Sequence, residues 1–252
     1  MSRFHGLPCW YELGTKDIAK AQAFYGPVLG WTVADSGTPG MTYLIARAGE
    51  AMVAGMMQAE GEQPVAWSIY FAVDDCDAAV AAATELGARV HVPPSDIPNT
   101  GRFAILADPQ GATFCLLQPL PMADGSGGTA FDLRKQGHGN WNELVTHDPA
   151  AAMEFYGALL GWTLSGSMEM GPGMTYHMIA RDGVDIGGTF AAPVAPPFWK
   201  PYFGVVSANA AVTAVTAAGG KVMHGPDAIP GGSFTLQIID PQGAMLALVG
   251  PA

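Results

Sequence analysis

The sequence has little positive charge: 11 Lys and Arg stand against 22 Asp and Glu in 252 residues, a formal net charge of −11, and the basic side chains form no cluster. A phosphate backbone or an anionic bilayer would meet mostly like charge, so neither nucleic acid nor membrane is an expected partner. Long apolar runs are also missing. Although 49% of the residues are hydrophobic, no stretch reaches the roughly 18 uncharged apolar residues that a bilayer span needs. The opening segment, Met1-Ser2-Arg3-Phe4-His5-Gly6, lacks the continuous apolar core of a secretory signal. Cysteine is scarce, and Cys9, Cys76 and Cys115 have neither metal-type spacing nor the even count of a disulfide framework. These absences predict a globular protein of the reducing cytoplasm. The Gly-rich runs Gly187-Gly188 and Gly231-Gly232-Ser233 are followed by no helix-borne Lys, which excludes a phosphate cradle and leaves turns or bulges.

What the sequence does have is an internal repeat. Trp10-Tyr11-Glu12-Leu13, Phe24-Tyr25-Gly26 and Leu29-Gly30-Trp31-Thr32 return as Trp141-Asn142-Glu143-Leu144, Phe155-Tyr156-Gly157 and Leu160-Gly161-Trp162-Thr163. Gly40-Met41-Thr42-Tyr43 returns as Gly173-Met174-Thr175-Tyr176, and Asp108-Pro109-Gln110-Gly111-Ala112 as Asp240-Pro241-Gln242-Gly243-Ala244. The matches are collinear, and the offset stays between 131 and 133 residues. Two domains are therefore expected, residues 1–121 and 137–252. Between them runs a Gly-rich linker, 122–136, centred on Asp124-Gly125-Ser126-Gly127-Gly128.

Each domain divides again. Trp10 to Leu13 reads as a strand, Asp17 to about Tyr25 as a helix, and Met41 to Arg47 and Ala51 to Met57 as strands. The order then restarts: strand from Ser68 to Val73, Ala-rich helix from Asp77 to Leu86 capped by Gly87, and strands at Ala88–Val92, Phe103–Leu106 and Thr113–Leu117. The unit is β-α-β-β-β, occurring four times.

That order carries a Phe-Tyr pair closing the first helix (Asp17 with Phe24-Tyr25, Asp148 with Phe155-Tyr156) and an Asp-Pro-x-Gly turn at Asp108 and Asp240. It resembles the glyoxalase / bleomycin-resistance / extradiol-dioxygenase superfamily over nearly the whole chain. The resemblance implies an α+β fold in which four βαβββ units build two glyoxalase-like domains, each with a mixed sheet curled into an open cup that holds the ligand. It also implies where a divalent metal would sit in the family's enzymes: on the first strand of each unit and near the end of the last. By counting from Asp17, Asp75 and Asp108 these places are Trp10, Ser68 and Cys115, and in the other half Trp141, Lys200 and Ala247. Trp and Ala offer no lone pair and Lys must first lose its proton, so no metal and no other cofactor is expected here.

Strand alternation names what else shares those walls. Glu12 follows Trp10 on one face, Tyr70 follows Ser68, Glu143 follows Trp141 and Tyr202 follows Lys200; Thr113, Leu117 and Met245 join them. An indole offers a flat apolar contact, and a carboxylate with a phenol can orient a small organic molecule or exchange protons with it. Glu12, Glu143, Tyr70 and Tyr202 are the candidate acid–base groups. Trp10, Trp141, Ser68, Lys200, Cys115, Thr113 and Met245 are candidate ligand contacts. The alternative is that the carboxylates cap backbone amides or pair with Arg47 and Lys200 while the aromatics fill core. Three functions stay open: a metal-independent hydroxylase- or lyase-like enzyme on a small, partly hydrophobic molecule; a resistance-type protein that sequesters such a molecule; and a metal enzyme with atypical ligands. Each is compatible with a monomer or a homodimer.

Overall fold

The computed structural model describes residues 2–38, 40–61, 63–121, 127–171 and 173–252; Asp124-Gly125-Ser126 at the linker's centre lie outside the described residues. Helix ends form where the sequence supplies caps. The carboxylate of Asp17 accepts the amide of Lys20 to start α1 (Ile18–Leu29), which ends at Gly30 with φ 68°, a left-handed conformation that favours glycine. The repeat does the same: Asp148 takes the amides of Ala150 and Ala151 to start α3 (Pro149–Leu160), and Gly161 closes it at φ 72°. Asp75 caps α2 (Cys76–Glu85) and Ser207 caps α4 (Ala208–Ala217).

Around α1 and α2 lie β1 (Pro8–Thr15), β2 (Thr32–Asp35), β3 (Tyr43–Ala48), β4 (Ala51–Gln58), β5 (Ala66–Ala72), β6 (Arg89–Ile97), β7 (Gly101–Ala107) and β8 (Thr113–Pro119). Around α3 and α4 lie β9 (Gly139–Thr146), β10 (Thr163–Glu169), β11 (Thr175–Arg181), β12 (Val184–Ala191), β13 (Phe198–Gly204), β14 (Lys221–Ala228), β15 (Phe234–Ile239) and β16 (Met245–Gly250). They make two eight-stranded sheets, ordered β2-β3-β4-β1-β5-β8-β7-β6 and β10-β11-β12-β9-β13-β16-β15-β14. In every βαβββ unit the first strand runs parallel to the last, β1 with β4, β5 with β8, β9 with β12 and β13 with β16, and hairpins join the rest. The sheets are mixed and open, each ending on a free strand. The α+β architecture of four βαβββ units is as the sequence predicts, and β2, which the apolar pattern did not locate, completes the first of them.

By compactness the chain forms two units, each taking one βαβββ unit from each half: Met1–Cys9, Ile69–Gly128 and Asn142–Trp199 in one, and Trp10–Ser68, Thr129–Trp141 and Lys200–Ala252 in the other. The second is centred on Phe203, whose ring lies 5.2 Å from Tyr11, 5.2 Å from Trp31 and 5.0 Å from Trp67. There the Trp67 indole N–H donates to the Tyr25 hydroxyl at 3.1 Å, and Tyr25 donates to Asp240 Oδ2 at 2.9 Å. The other Asp240 oxygen accepts the amides of Gln242 and Ala244. Gln242 in turn exchanges two hydrogen bonds with the main chain of Asp17, of 2.7 and 2.9 Å. The first unit repeats each part. Trp199 donates to Tyr156 at 2.9 Å and Tyr156 to Asp108 at 3.1 Å, while Gln110 clasps Asp148. Burial raises the pKa of both phenols and of Asp108. The Asp-Pro-Gln-Gly turn thus serves as a buried anchor that holds the cap of another unit's helix.

Candidate functional site

The same sequence of groups, indole to phenol to carboxylate, also occurs where solvent can reach it. On β1, the N–H of Trp10 donates to the Tyr43 hydroxyl at 3.0 Å, and Tyr43 donates to Glu12 Oε2 at 2.9 Å. In the core chains every member is at most 6% exposed, whereas Trp10, Glu12 and Tyr43 are all half-buried. Strand alternation puts Trp10 and Glu12 on one face, as expected. Tyr43 reaches them from β3 because the strand between carries no side chain at the crossing point. Glu12 is in register with Gly55 on β4, and a Cβ at Gly55 would lie 1.9 Å from the Tyr43 hydroxyl oxygen. Any side chain at position 55 would displace the Tyr43 ring from this place.

The chain has a direction. Tyr43 uses its proton on Glu12 and its lone pair on Trp10, and burial together with the Glu12 charge raises its pKa far above the ordinary phenol value. The phenol therefore stays protonated and Glu12 is held as an acceptor. The indole N–H being satisfied, Trp10 has its ring face to offer a ligand, and a carboxylate is a group that can accept from a hydroxyl or take an acidic proton. Arg47 donates to the main-chain carbonyl of Glu50.

In the second half Glu143 is in register with Gly188, and the ring of Tyr176 lies over that glycine, 2.2 Å from where its Cβ would be. Tyr176 stacks on Phe190 with centroids 6.0 Å apart. Here the carboxylate is buried, 5% exposed, and Trp141 is half-buried. Strand alternation from Trp10 and Trp141 does not name Tyr43 or Tyr176; the signal for both phenols in the sequence is that they close the repeated Gly-Met-Thr-Tyr.

The remaining candidates fall in two places. In the first compact unit Tyr70 is in register with Cys115; both are buried, and Tyr70 lies 6.5 Å from the ring of Phe103. Thr113, two residues before Cys115, is exposed. In the second unit Tyr202 is in register with Ala247 and its hydroxyl accepts from Gln237 at 3.0 Å. The ammonium of Lys200 lies 5.6 Å from the Tyr202 ring, Ser68 is half-buried and Met245 is 47% exposed.

These positions do not suit the divalent metal that the fold resemblance implies. Trp10 is a donor to Tyr43, Lys200 rests on a ring and Ala247 has no ligand atom. Among the described residues no three of His, Cys, Asp and Glu gather where they could share an ion. Two histidines are engaged elsewhere: His5 bonds the carbonyl of Leu159 and the amide of Asp74, and His138 the carbonyl of Gln136.

Comparison with known proteins agrees with this architecture. Residues 10–117 match the model of a glyoxalase-like domain, and residues 138–248 that of the Glyoxalase/Bleomycin resistance protein/Dioxygenase superfamily. The chain is 35% identical to "Putative glyoxylase CFP32" of Mycobacterium bovis, covering 98% of this chain and 95% of that one. It is 31% identical to the anthracycline biosynthesis protein DnrV of Streptomyces peucetius, covering 99% and 95%. Among solved structures it is similar in fold to the Mn(II)-bound glyoxalase of Novosphingobium aromaticivorans, with TM-score 0.67, 18% identity and coverage of 98% and 82%. A variant of homoprotocatechuate 2,3-dioxygenase from Brevibacterium fuscum gives TM-score 0.69, 18% identity and coverage of 97% and 71%. With its repeat, its two mixed sheets and relatives matched end to end, the chain belongs to the glyoxalase / bleomycin-resistance / dioxygenase superfamily.

Proposed function

We propose that this protein is a metal-independent member of its superfamily that acts on a small, partly hydrophobic molecule, with the Trp10–Tyr43–Glu12 chain as its working site. The observation that supports this reading is the contrast in burial. Two hydrogen-bonded chains of the same composition are sealed in the cores, where they anchor turns, while the chain on β1, in which Glu12 accepts from Tyr43, is half-buried. A flat ring packs on the face of Trp10, and Glu12 takes a proton from a carbon next to a carbonyl or from a hydroxyl. Tyr43, donating to Glu12, withdraws negative charge from the carboxylate and holds it in place. In the second half, Glu143 with Tyr176 provides the same groups in a more enclosed setting.

The names of the relatives, a glyoxylase and anthracycline biosynthesis proteins, favour a carbonyl-bearing or fused-ring compound. The test is exchange of the acidic C–H of small aromatic ketones in deuterated buffer, followed by NMR, with ligand affinity measured in parallel. The account expects exchange by the unaltered protein and, for Glu12→Gln, affinity retained within about threefold with exchange lost by about 100-fold. Affinity without exchange in the unaltered protein would leave a sequestering protein instead.

A further inference from the structure

Away from the β1 chain, the second compact unit contains a cavity of about 560 Å³ between the end of α1 and the first turns of α4. Its apolar wall is Val28, Leu29, Val205 and the alanines at 210, 211 and 214; its polar lining includes Gln136 and His138. A volume of this size lies in the range of small-molecule sites, roughly 300–1,000 Å³.

The internal repeat shows what the first unit puts in the corresponding place. Gly137 accepts the Trp31 indole N–H and Gly6 accepts that of Trp162, both at 2.7 Å, so Gly6 and Gly137 are equivalent. Ala48 is in register with Ala51 where β3 turns into β4, and Arg181 is in register with Val184 where β11 turns into β12, so Ala48 and Arg181 are equivalent. A Cβ at Gly137 would meet the Cβ of Ala48, and one at Gly6 would meet the Cδ of Arg181. In the first unit the Arg181 side chain is 8% exposed; its Nε donates to the carbonyl of His5 at 2.8 Å and its Nη1 pairs with Asp182, a position that Gly49 occupies in the second unit. In the second unit the equivalent carbonyl belongs to Gln136, the side chain at position 48 is a methyl group, and the space is open.

The cavity offers neutral acceptors to a guanidinium group, with no counterpart of the Asp182 carboxylate among its lining residues. His138, 5% exposed, donates Nδ1–H to Gln136 at 2.9 Å. That fixes the neutral ring's tautomer with Nε2 as an acceptor, and among the described residues Nε2 has no hydrogen-bond partner. The carbonyl end of α1 contributes a partial negative charge. The opposing amide end of α4 is largely satisfied, with Ala208 donating to Pro251 and Ala210 and Ala211 to Ser207. Lys135, at the rim, is paired with Asp132 at 3.0 Å. We propose that this cavity binds a small molecule bearing a planar guanidinium or amidinium cation, seated where the first unit seats the Arg181 side chain.

The test is titration of the full-length protein with n-butylguanidinium chloride, followed by the imidazole NMR signals of His138, which are assigned by their loss in His138→Gln. A saturable shift below about 10 mM is expected, with n-butylammonium at least tenfold weaker for want of a planar fork. Ala48→Arg is expected to abolish binding by filling the space from within; should that variant not fold, Ala48→Leu serves the same purpose by bulk. No saturable shift over that range, an equal response to n-butylammonium, or undiminished binding by the folded position-48 variant would each overturn the proposal.

Discussion

Tyr25→Phe removes one oxygen atom from the core of the second compact unit and thereby tests whether burial separates structural from working chains. Its loss leaves the Trp67 indole N–H without its acceptor at 3.1 Å and Asp240 Oδ2 without its donor at 2.9 Å. Tyr25 is fully buried, Trp67 is 6% and Asp240 3% exposed, so water cannot easily substitute. An unsatisfied buried group costs about 1–3 kcal/mol, and the two together should cost roughly 2–4 kcal/mol. Tyr43→Phe removes the same atom from the half-buried chain. There solvent can take over both bonds, and the cost should stay under about 1 kcal/mol. Urea unfolding, followed by Trp fluorescence and by far-UV circular dichroism so that a separate transition of one unit is seen, measures both. A Tyr25→Phe cost below about 0.5 kcal/mol, or one no larger than that of Tyr43→Phe, would refute the reasoning that burial divides these chains into anchors and site.

The close approach at Gly55 gives a second prediction: Gly55→Ala pushes Tyr43 off Trp10 and Glu12 and should destabilise by about 1–3 kcal/mol. In a Tyr43→Ala background the same change should cost less than about 0.5 kcal/mol, a non-additivity that a double-mutant cycle reads directly. At the surface, Arg102 bonds Asp77 at 2.6 and 3.0 Å and holds its carboxyl below the ordinary value. A lowered folded pKa contributes stability above the unfolded value of about 3.9 that is lost as pH falls through the folded one. Asp77→Asn should therefore flatten the fall in stability below about pH 4 and bring the two curves together in acid; parallel curves would contradict this.

Much of this was legible in the sequence because it is local or repeated. Asp17, Asp148, Gly30 and Gly161 are caps, and caps declare themselves by residue type at a helix end. The four βαβββ units followed from the apolar pattern and the repeat. β2 was harder to locate: it is four residues long and three of them are exposed, so it lacks the alternation that marks a strand. Trp10 and Glu12 could be placed on one face from spacing alone. Their link through Tyr43 could not, because it depends on how β1, β3 and β4 register across Gly55, a relation that one strand's sequence does not encode. The destination of the Asp-Pro-Gln-Gly turn was likewise hidden, since Gln110 and Gln242 reach caps in the other half of the chain.

The central claim, that the half-open chain on β1 is where a small molecule docks, is met most directly by titrating tryptophan fluorescence with small aromatic ketones in the unaltered protein and in Trp10→Phe. The account predicts a saturable quench in the first that is largely lost in the second, the other five indoles contributing little. An undiminished quench in Trp10→Phe would place the ligand elsewhere and contradict it.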